Sequence, residues 1–524
     1  TPGLVNTHHH IYQNLTRSFA PATRASLFDW LTTLYPRWAL LDEEASYVSA
    51  WVGLAELALG GCTTSTDHLY VHPASGGDLL AAEVAAARDL GMRFHPTRGS
   101  MSLSQKDGGL PPDSVVQDDD AILAASEEAV ARHHDPAPGA MVRIALAPCS
   151  PFSVTPDLMR RTAELAERLD VRLHTHLAED PDEDTFCLET FGRRPIEHFE
   201  DCGWGSDRSW VAHCIYPNDE EIERLAGWGT GVAHCPSSNM LIGGGGIAPV
   251  GPYRAAGVPV GLGCDGSAST DCASLWLEAR GALLLARQRG GPTAFGARDA
   301  LEVATIGSAA CLGRTGELGV LAPGAVADLV AWKLGGITYA GALSDPVEAW
   351  LRCGPTAAHH TVVAGTPLVE DGELRGPAAA ELEVGMYTER PTYVLGYLIG
   401  MQEIEGIRRK RPIAAQLLRL GALAILMIIG DGVEARIGGV LDARGAEMSA
   451  GITRVLDHDR VGQALLADHA EVADKLALQW ARLFPGRYYV ELQRAGAQNA
   501  EALVARSVAL AGRTKLPVTA THPV

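Results

Sequence analysis

The chain of 524 residues lacks any surplus of positive charge: 43 Lys and Arg stand against 63 Asp and Glu, a formal net charge of −20. Nucleic acid and anionic membrane surfaces are therefore poor partners. The ten cysteines form no CxxC pair and no regular framework. That argues against a secreted disulfide scaffold and predicts free thiols in a reducing compartment, the cytoplasm. No signal peptide is visible. The most apolar run, GALAILMIIG at 421–430, is about half of what a bilayer span requires, and with Arg419 at its flank it reads as a buried helix. There is no initiator Met; Thr1 stands directly before an apolar run, which reads as a fragment or a processed product.

What is present is a rhythm. Eight short apolar runs end in polar residues: GLVNTHHH, GCTTSTDHL, MRFHPTRGS, VRIALAPCS, VRLHTHLAE, SWVAHCIY, TGVAHCPSSN and VPVGLGCDGS, all before residue 270. The segments between them carry helix signals. TPDLMRRTAELAERLD offers Thr155 as N-cap and Pro156 at the first helical position, and DLLAAEVAAARDLG closes on Gly91. Strands alternating with helices imply parallel βα units, and eight of them predict an α/β fold of the closed (β/α)8 TIM barrel type over residues 1–315. Polar residues at the strand ends then mark the active-site face. Residues 316–384 read as part of a small β-sandwich domain, 385–457 as a helical segment of uncertain origin, and 458–524 as an unrelated α/β tail with strands at RYYVELQRAG and LPVTATHPV.

Three consecutive histidines near the chain start could be a tag remnant or half of a metal site. On a strand, residues two apart share a side. His8 and His10 are expected to face the barrel interior together, with His9 turned away. His176 ends the fifth run, His213 the sixth and Asp265 the eighth. Imidazole and carboxylate ligands together suit Zn²⁺ or a similar divalent ion. His8, His10, His176 and Asp265 can surround one ion and leave a position for water. The only Lys before Asp265 is Lys106, so the fourth run supplies no modified lysine to bridge two metals, and a mononuclear site is expected. Water on such an ion becomes a nucleophile near neutral pH. Glu179 is placed to carry its proton to the substrate, with His213 and Asp265 orienting the attacking hydroxide. His234 reads equally as structural or catalytic. Gln13, Trp30, His68, Arg98 and Cys149 are candidate substrate contacts, with ordinary packing an equal reading for each.

The stretches PGLVNTHHH, RLHTHLAE, VAHCPSSNM and GLGCDGSAS resemble the amidohydrolase superfamily. LFDWLTTLYPRWA, RGSMSLSQKDGGLPPDSVVQDDD and IALAPCSPFSVTP are similar to its subgroup of 8-oxoguanine deaminases and hydroxyatrazine-type aminohydrolases, over about residues 1–376. The resemblance implies one Zn²⁺, or Fe²⁺, on His8, His10, His176 and Asp265, with Glu179 and His213 as catalytic partners. It implies hydrolytic deamination of a small aminated heterocycle, 8-oxoguanine first, with an s-triazine or another purine or pyrimidine as the alternative. Association into homo-oligomers is compatible with it. Residues 461–524 resemble an internal piece of the polymerase-and-histidinol-phosphatase domain of bacterial DNA polymerase III α subunits, with His522 its one matching ligand. The tail is thus read as a chimaeric addition without activity. The readings from other classes are a replication-associated protein and an inactive fragment.

Overall fold

Each of the eight apolar runs contributes one strand to a closed parallel barrel. The strands are β1 (Leu4–Asn6), β2 (Cys62–Leu69), β3 (Arg93–Ser100), β4 (Ala145–Pro148), β5 (Leu173–Leu177), β6 (Ser209–His213), β7 (Gly231–His234) and β8 (Val260–Leu262). They pair in sequence order, and Asn6 against Leu262 closes the ring. The structure is a computed structural model and describes residues 1–243, 245–375, 465, 469–483, 490–493, 500–516 and 518–521. The helices between strands start and stop where their caps predict. Thr155 Oγ1 accepts the Leu158 amide at 3.0 Å ahead of the helix Pro156–Leu169. Gly91, at φ 80°, ends the helix Leu79–Leu90 in the left-handed conformation that glycine adopts without penalty. Inside the barrel Trp210 stacks on His174, with ring centroids 4.4 Å apart, and donates Nε1–H to the Thr7 carbonyl at 2.9 Å.

The histidine triplet departs from the simple strand reading. β1 ends at Asn6, and His9–His10 pair instead with Asp265–Gly266 as a separate short ladder. His8 and His10 still converge. His9 is buried apart from them, its Nδ1 accepting the His10 amide at 2.9 Å.

Beyond the barrel, β9 (Leu329–Trp332), β10 (Ala358–Val363), β11 (Thr366–Glu370) and β12 (Glu373–Leu374) form a single antiparallel sheet in that order. Pro2 bridges to Leu329 at its edge. A fully buried fork ties this sheet to the barrel: Arg93 on β3 donates to both carboxylate oxygens of Asp328 at 3.0 and 3.2 Å. Asp328 Oδ1 also accepts the Ala364 amide at 2.8 Å. Barrel and sheet lie in one compact unit, Thr1–Ala380.

The second unit carries the helices Ala470–Leu483 and Ala500–Thr514 and a parallel strand pair, Val490–Gln493 with Val518–Thr521. Its strands fall in the two tail segments where they were expected. The segment 385–457, including the run 421–430, and His522 lie outside the described residues. Among the described residues no helix is long and apolar enough to cross a membrane.

Candidate active site

The C-terminal rim of the barrel brings His8, His10, His176 and Asp265 together, from residues more than 250 positions apart. His10 Nε2 lies 3.1 Å from His176 Nε2, and Asp265 Oδ1 lies 3.3 Å from Nε2 of both His8 and His10. All four residues are buried. Their hydrogen-bond partners assign the tautomers. His10 Nδ1–H donates to the His68 carbonyl at 2.8 Å and His176 Nδ1–H to the Cys149 carbonyl at 2.6 Å. His174 donates Nδ1–H to the Trp210 carbonyl at 2.8 Å. Its Nε2 must then accept from His8 Nδ1 at 2.7 Å.

Each of the three rim histidines is thereby left with an open Nε2 lone pair aimed at the same spot. His8 Nε2 has no hydrogen-bond partner at all. Buried lone pairs that face one another beside a carboxylate repel, unless a cation lies among them. Burial pushes His8 and His176 well below the ordinary imidazole range, and His10 below it, so the rings stay neutral and suited to ligation. Despite its burial, Asp265 is held well below the usual carboxylate range by His8, whose Nε2 lies 3.3 Å from its Oδ1, and by the nearby His213 and His10 rings. The donor set therefore fits one divalent ion. The groups His8–His10–His68–His176 and His8–His213–Asp265 each bring ligand atoms within 4.8 Å of one another.

Beside this cluster stand two further ionisable groups, His213 and Glu179. His213 Nε2 lies 3.6 Å from Glu179 Oε1 and 4.0 Å from Asp265 Oδ2. Its Nδ1–H donates to Asn239 Oδ1 at 2.9 Å, fixing the ring. Burial lifts the Glu179 carboxyl to about 7, against the pull of His213. Burial lowers His213, but Glu179 and Asp265 outweigh it and raise the ring above its ordinary value. Asp265 Oδ2 accepts from Ser238 Oγ at 2.5 Å. The backbone here is strained: Ala178 (φ 50°), His213 (φ 68°), Cys214 (φ 44°) and Asp265 (φ 57°) all adopt left-handed conformations without being glycine.

A narrow cleft of about 40 Å³ opens onto these groups. His10, His176, Glu179, His213 and Asp265 line it together with the apolar and aromatic Leu27, Trp30, Leu31, Tyr35 and Phe152. Gln13, Trp30 and Cys149 also line it, and both polar atoms of the Gln13 amide are buried without a partner. The other three candidates lie elsewhere. His68 stands behind the rim histidines, with Nε2–H on the Ala147 carbonyl at 3.0 Å and Nδ1 unpartnered. His234 is buried outside the cleft, and burial lowers it to about 3. Arg98 turns toward a different hollow, which it lines with His72 and Gln117; it donates to Gln117 Oε1 at 2.6 Å. The sequence reading missed Ser238, Asn239 and Glu183 (below). The first two stand in the quoted PSSN stretch, where a run of small polar residues after a strand end was the available signal.

Three comparisons bear on this geometry. The profile of the amidohydrolase family matches residues 1–366. The 8-oxoguanine deaminase of Pseudomonas aeruginosa is 51% identical over 381 residues, 73% of this chain and 84% of that protein. The hydroxydechloroatrazine ethylaminohydrolase of Pseudomonas sp. (strain ADP) is 40% identical over 391 residues, covering 73% and 80%. Among solved structures, the zinc complex of atrazine chlorohydrolase from Arthrobacter aurescens TC1 superposes with a TM-score of 0.71 at 34% identity, over 76% of this chain and 87% of that one.

Proposed function

The chain belongs to the amidohydrolase family, and from that premise we propose that it hydrolyses 8-oxoguanine to urate and ammonia. The coarser activity, hydrolytic deamination at a C–N bond, follows from the family and its deaminase relatives. The finer assignment rests on the likeness to the Pseudomonas aeruginosa deaminase and on one observation. A carboxyl lifted to about 7 stands beside a buried His/Asp donor set able to hold a cation, in a cleft that aromatic side chains also line.

In this reading His8, His10, His176 and Asp265 hold one divalent ion, Zn²⁺ or Fe²⁺, which supplies acidified water as the nucleophile. Trp30 and the neighbouring aromatic side chains stack the planar ring and keep bulk water away. The unpartnered Gln13 amide offers one donor and one acceptor to the ring's lactam edge. Glu179 Oε1 takes up a proton and delivers it to a ring nitrogen, which a group near pKa 7 does efficiently in both directions. His213, fixed by Asn239, holds the proton balance between Glu179 and Asp265. The C–O bond forms first, at the amino-bearing carbon; the proton left on the added hydroxyl then passes by way of Asp265 and His213 to the amino nitrogen, the exocyclic C–N bond breaks, and ammonia departs.

The test is ammonia release by the full chain from 8-oxoguanine, guanine, isocytosine and hydroxyatrazine, with and without chelator. Chelator-sensitive turnover highest on 8-oxoguanine is expected. Preference for hydroxyatrazine would overturn the substrate assignment. Chelator-resistant turnover would overturn the metal site.

A further inference from the structure

Glu183 is a buried acid that the reaction above does not use. It sits at the third position of the helix Pro181–Phe191, after the N-cap Asp180. A glutamate there ordinarily reaches back to the N-cap amide, and two others in this chain do so. Glu221 accepts the Asn218 amide at 2.8 Å and Glu197 the Arg194 amide at 3.0 Å. Glu183 passes over that amide. Its Oε1 accepts the Ala178 amide at 3.0 Å and its Oε2 the Glu179 amide at 2.9 Å.

Those two amides belong to the strained turn that carries Glu179. Ala178 holds a left-handed φ of 50°. Its carbonyl is gripped from the other side by the Ile215 and Tyr216 amides at 2.8 and 3.1 Å, just after His213. Leu177 O accepts the Cys214 amide at 3.1 Å. The turn is thus clamped between the β6 exit and one carboxylate.

We propose that Glu183 is a positioning residue for Glu179: its two carboxylate oxygens hold the Ala178–Glu179 turn in its strained form and so set the Glu179 carboxyl against His213 and the substrate. This rests on the deaminase reading. A carboxylate is required because both partners are donors. An amide of the same size offers one acceptor and turns an N–H against the second donor.

The experiment compares wild type with Glu183→Gln and Glu183→Asp. The readouts are kcat, KM, bound metal, and hydrogen exchange at the Ala178 and Glu179 amides. Glu183→Gln is expected to lower kcat by about 10- to 100-fold, the scale of small misplacement of a reacting group. KM and metal content stay within about twofold while exchange at both amides quickens. Glu183→Asp, which keeps the charge on a shorter arm, falls between. Wild-type kcat with unchanged exchange in Glu183→Gln overturns the proposal, as does rapid exchange of both amides in the wild type, which needs no variant to fold. A wild type inactive on every amine would defeat the deaminase reading, and the exchange measurement would still decide whether Glu183 holds the turn.

Discussion

Replacing Glu179 by Gln keeps the size of the side chain and removes only its capacity to pass a proton. At pH 7 a carboxyl near pKa 7 is about half protonated, so in the proposed mechanism the wild-type group can act as acid and as base within one turnover. The reaction needs both, one proton leaving the nucleophile and one reaching the ring. The loss should therefore lie toward the top of the usual general acid–base range, about 10³–10⁴ in kcat or roughly 4–5.5 kcal/mol of barrier. Glu179 is outside the proposed ligand set, with His213 Nε2 3.6 Å from its Oε1. Bound metal should be unchanged and KM should move less than about threefold. The assay is initial-rate ammonia release across pH 5–9 with metal content measured on the same samples. The variant should lose the limb near pH 7. A kcat within tenfold of wild type at full metal occupancy would refute the role assigned to Glu179. Loss of the metal would reassign it as a ligand.

Burial pushes Glu278 up to about 8, although the Ser237 amide donates to it at 2.9 Å. A folded-state pKa above the unfolded one contributes stability below pH 4.5 that fades as pH rises toward 8. Glu278→Gln lacks this titration. Thermal melts at pH 5, 6.5 and 8 should show it gaining on wild type as pH rises, by up to about 1.4 kcal/mol per pH unit. Asp328→Asn strips the counter-charge from fully buried Arg93, so unfolding followed by tryptophan fluorescence should show a loss of about 3–5 kcal/mol; under about 1 kcal/mol would contradict it. Deleting 388–524 should leave ammonia release within twofold, and a large loss would tie the tail to activity.

The sequence exposed the barrel because each strand announces itself locally, as an apolar run with a polar end, and all eight runs are strands. The donors proposed to hold the metal were visible for the same reason, since each closes or follows a run. The alternation argument reached the right faces for His8 and His10 by a route the chain does not take. β1 stops at Asn6, and the ladder with Asp265–Gly266 is what orients them. Arg98 was misleading because strand-end position does not specify direction: its guanidinium is drawn sideways to Gln117. Ser238, Asn239 and Glu183 make their contacts from the first turns of short helices that follow strand ends. Ser238 meets Asp265 from 27 positions away and Asn239 meets His213 from 26. No periodicity reports such a meeting.

The four left-handed residues around the cleft have a consequence for how this chain can change. Each costs on the order of 1–3 kcal/mol to hold, and none contributes to folding what a relaxed residue would. Endurance and turnover therefore pull these positions in opposite directions. A lineage selected only to survive heat has every incentive to relax Ala178 and Cys214, whereas one selected for growth on its substrate has none. Populations evolved in parallel under the two regimes should part company first along this short arc of the barrel rim.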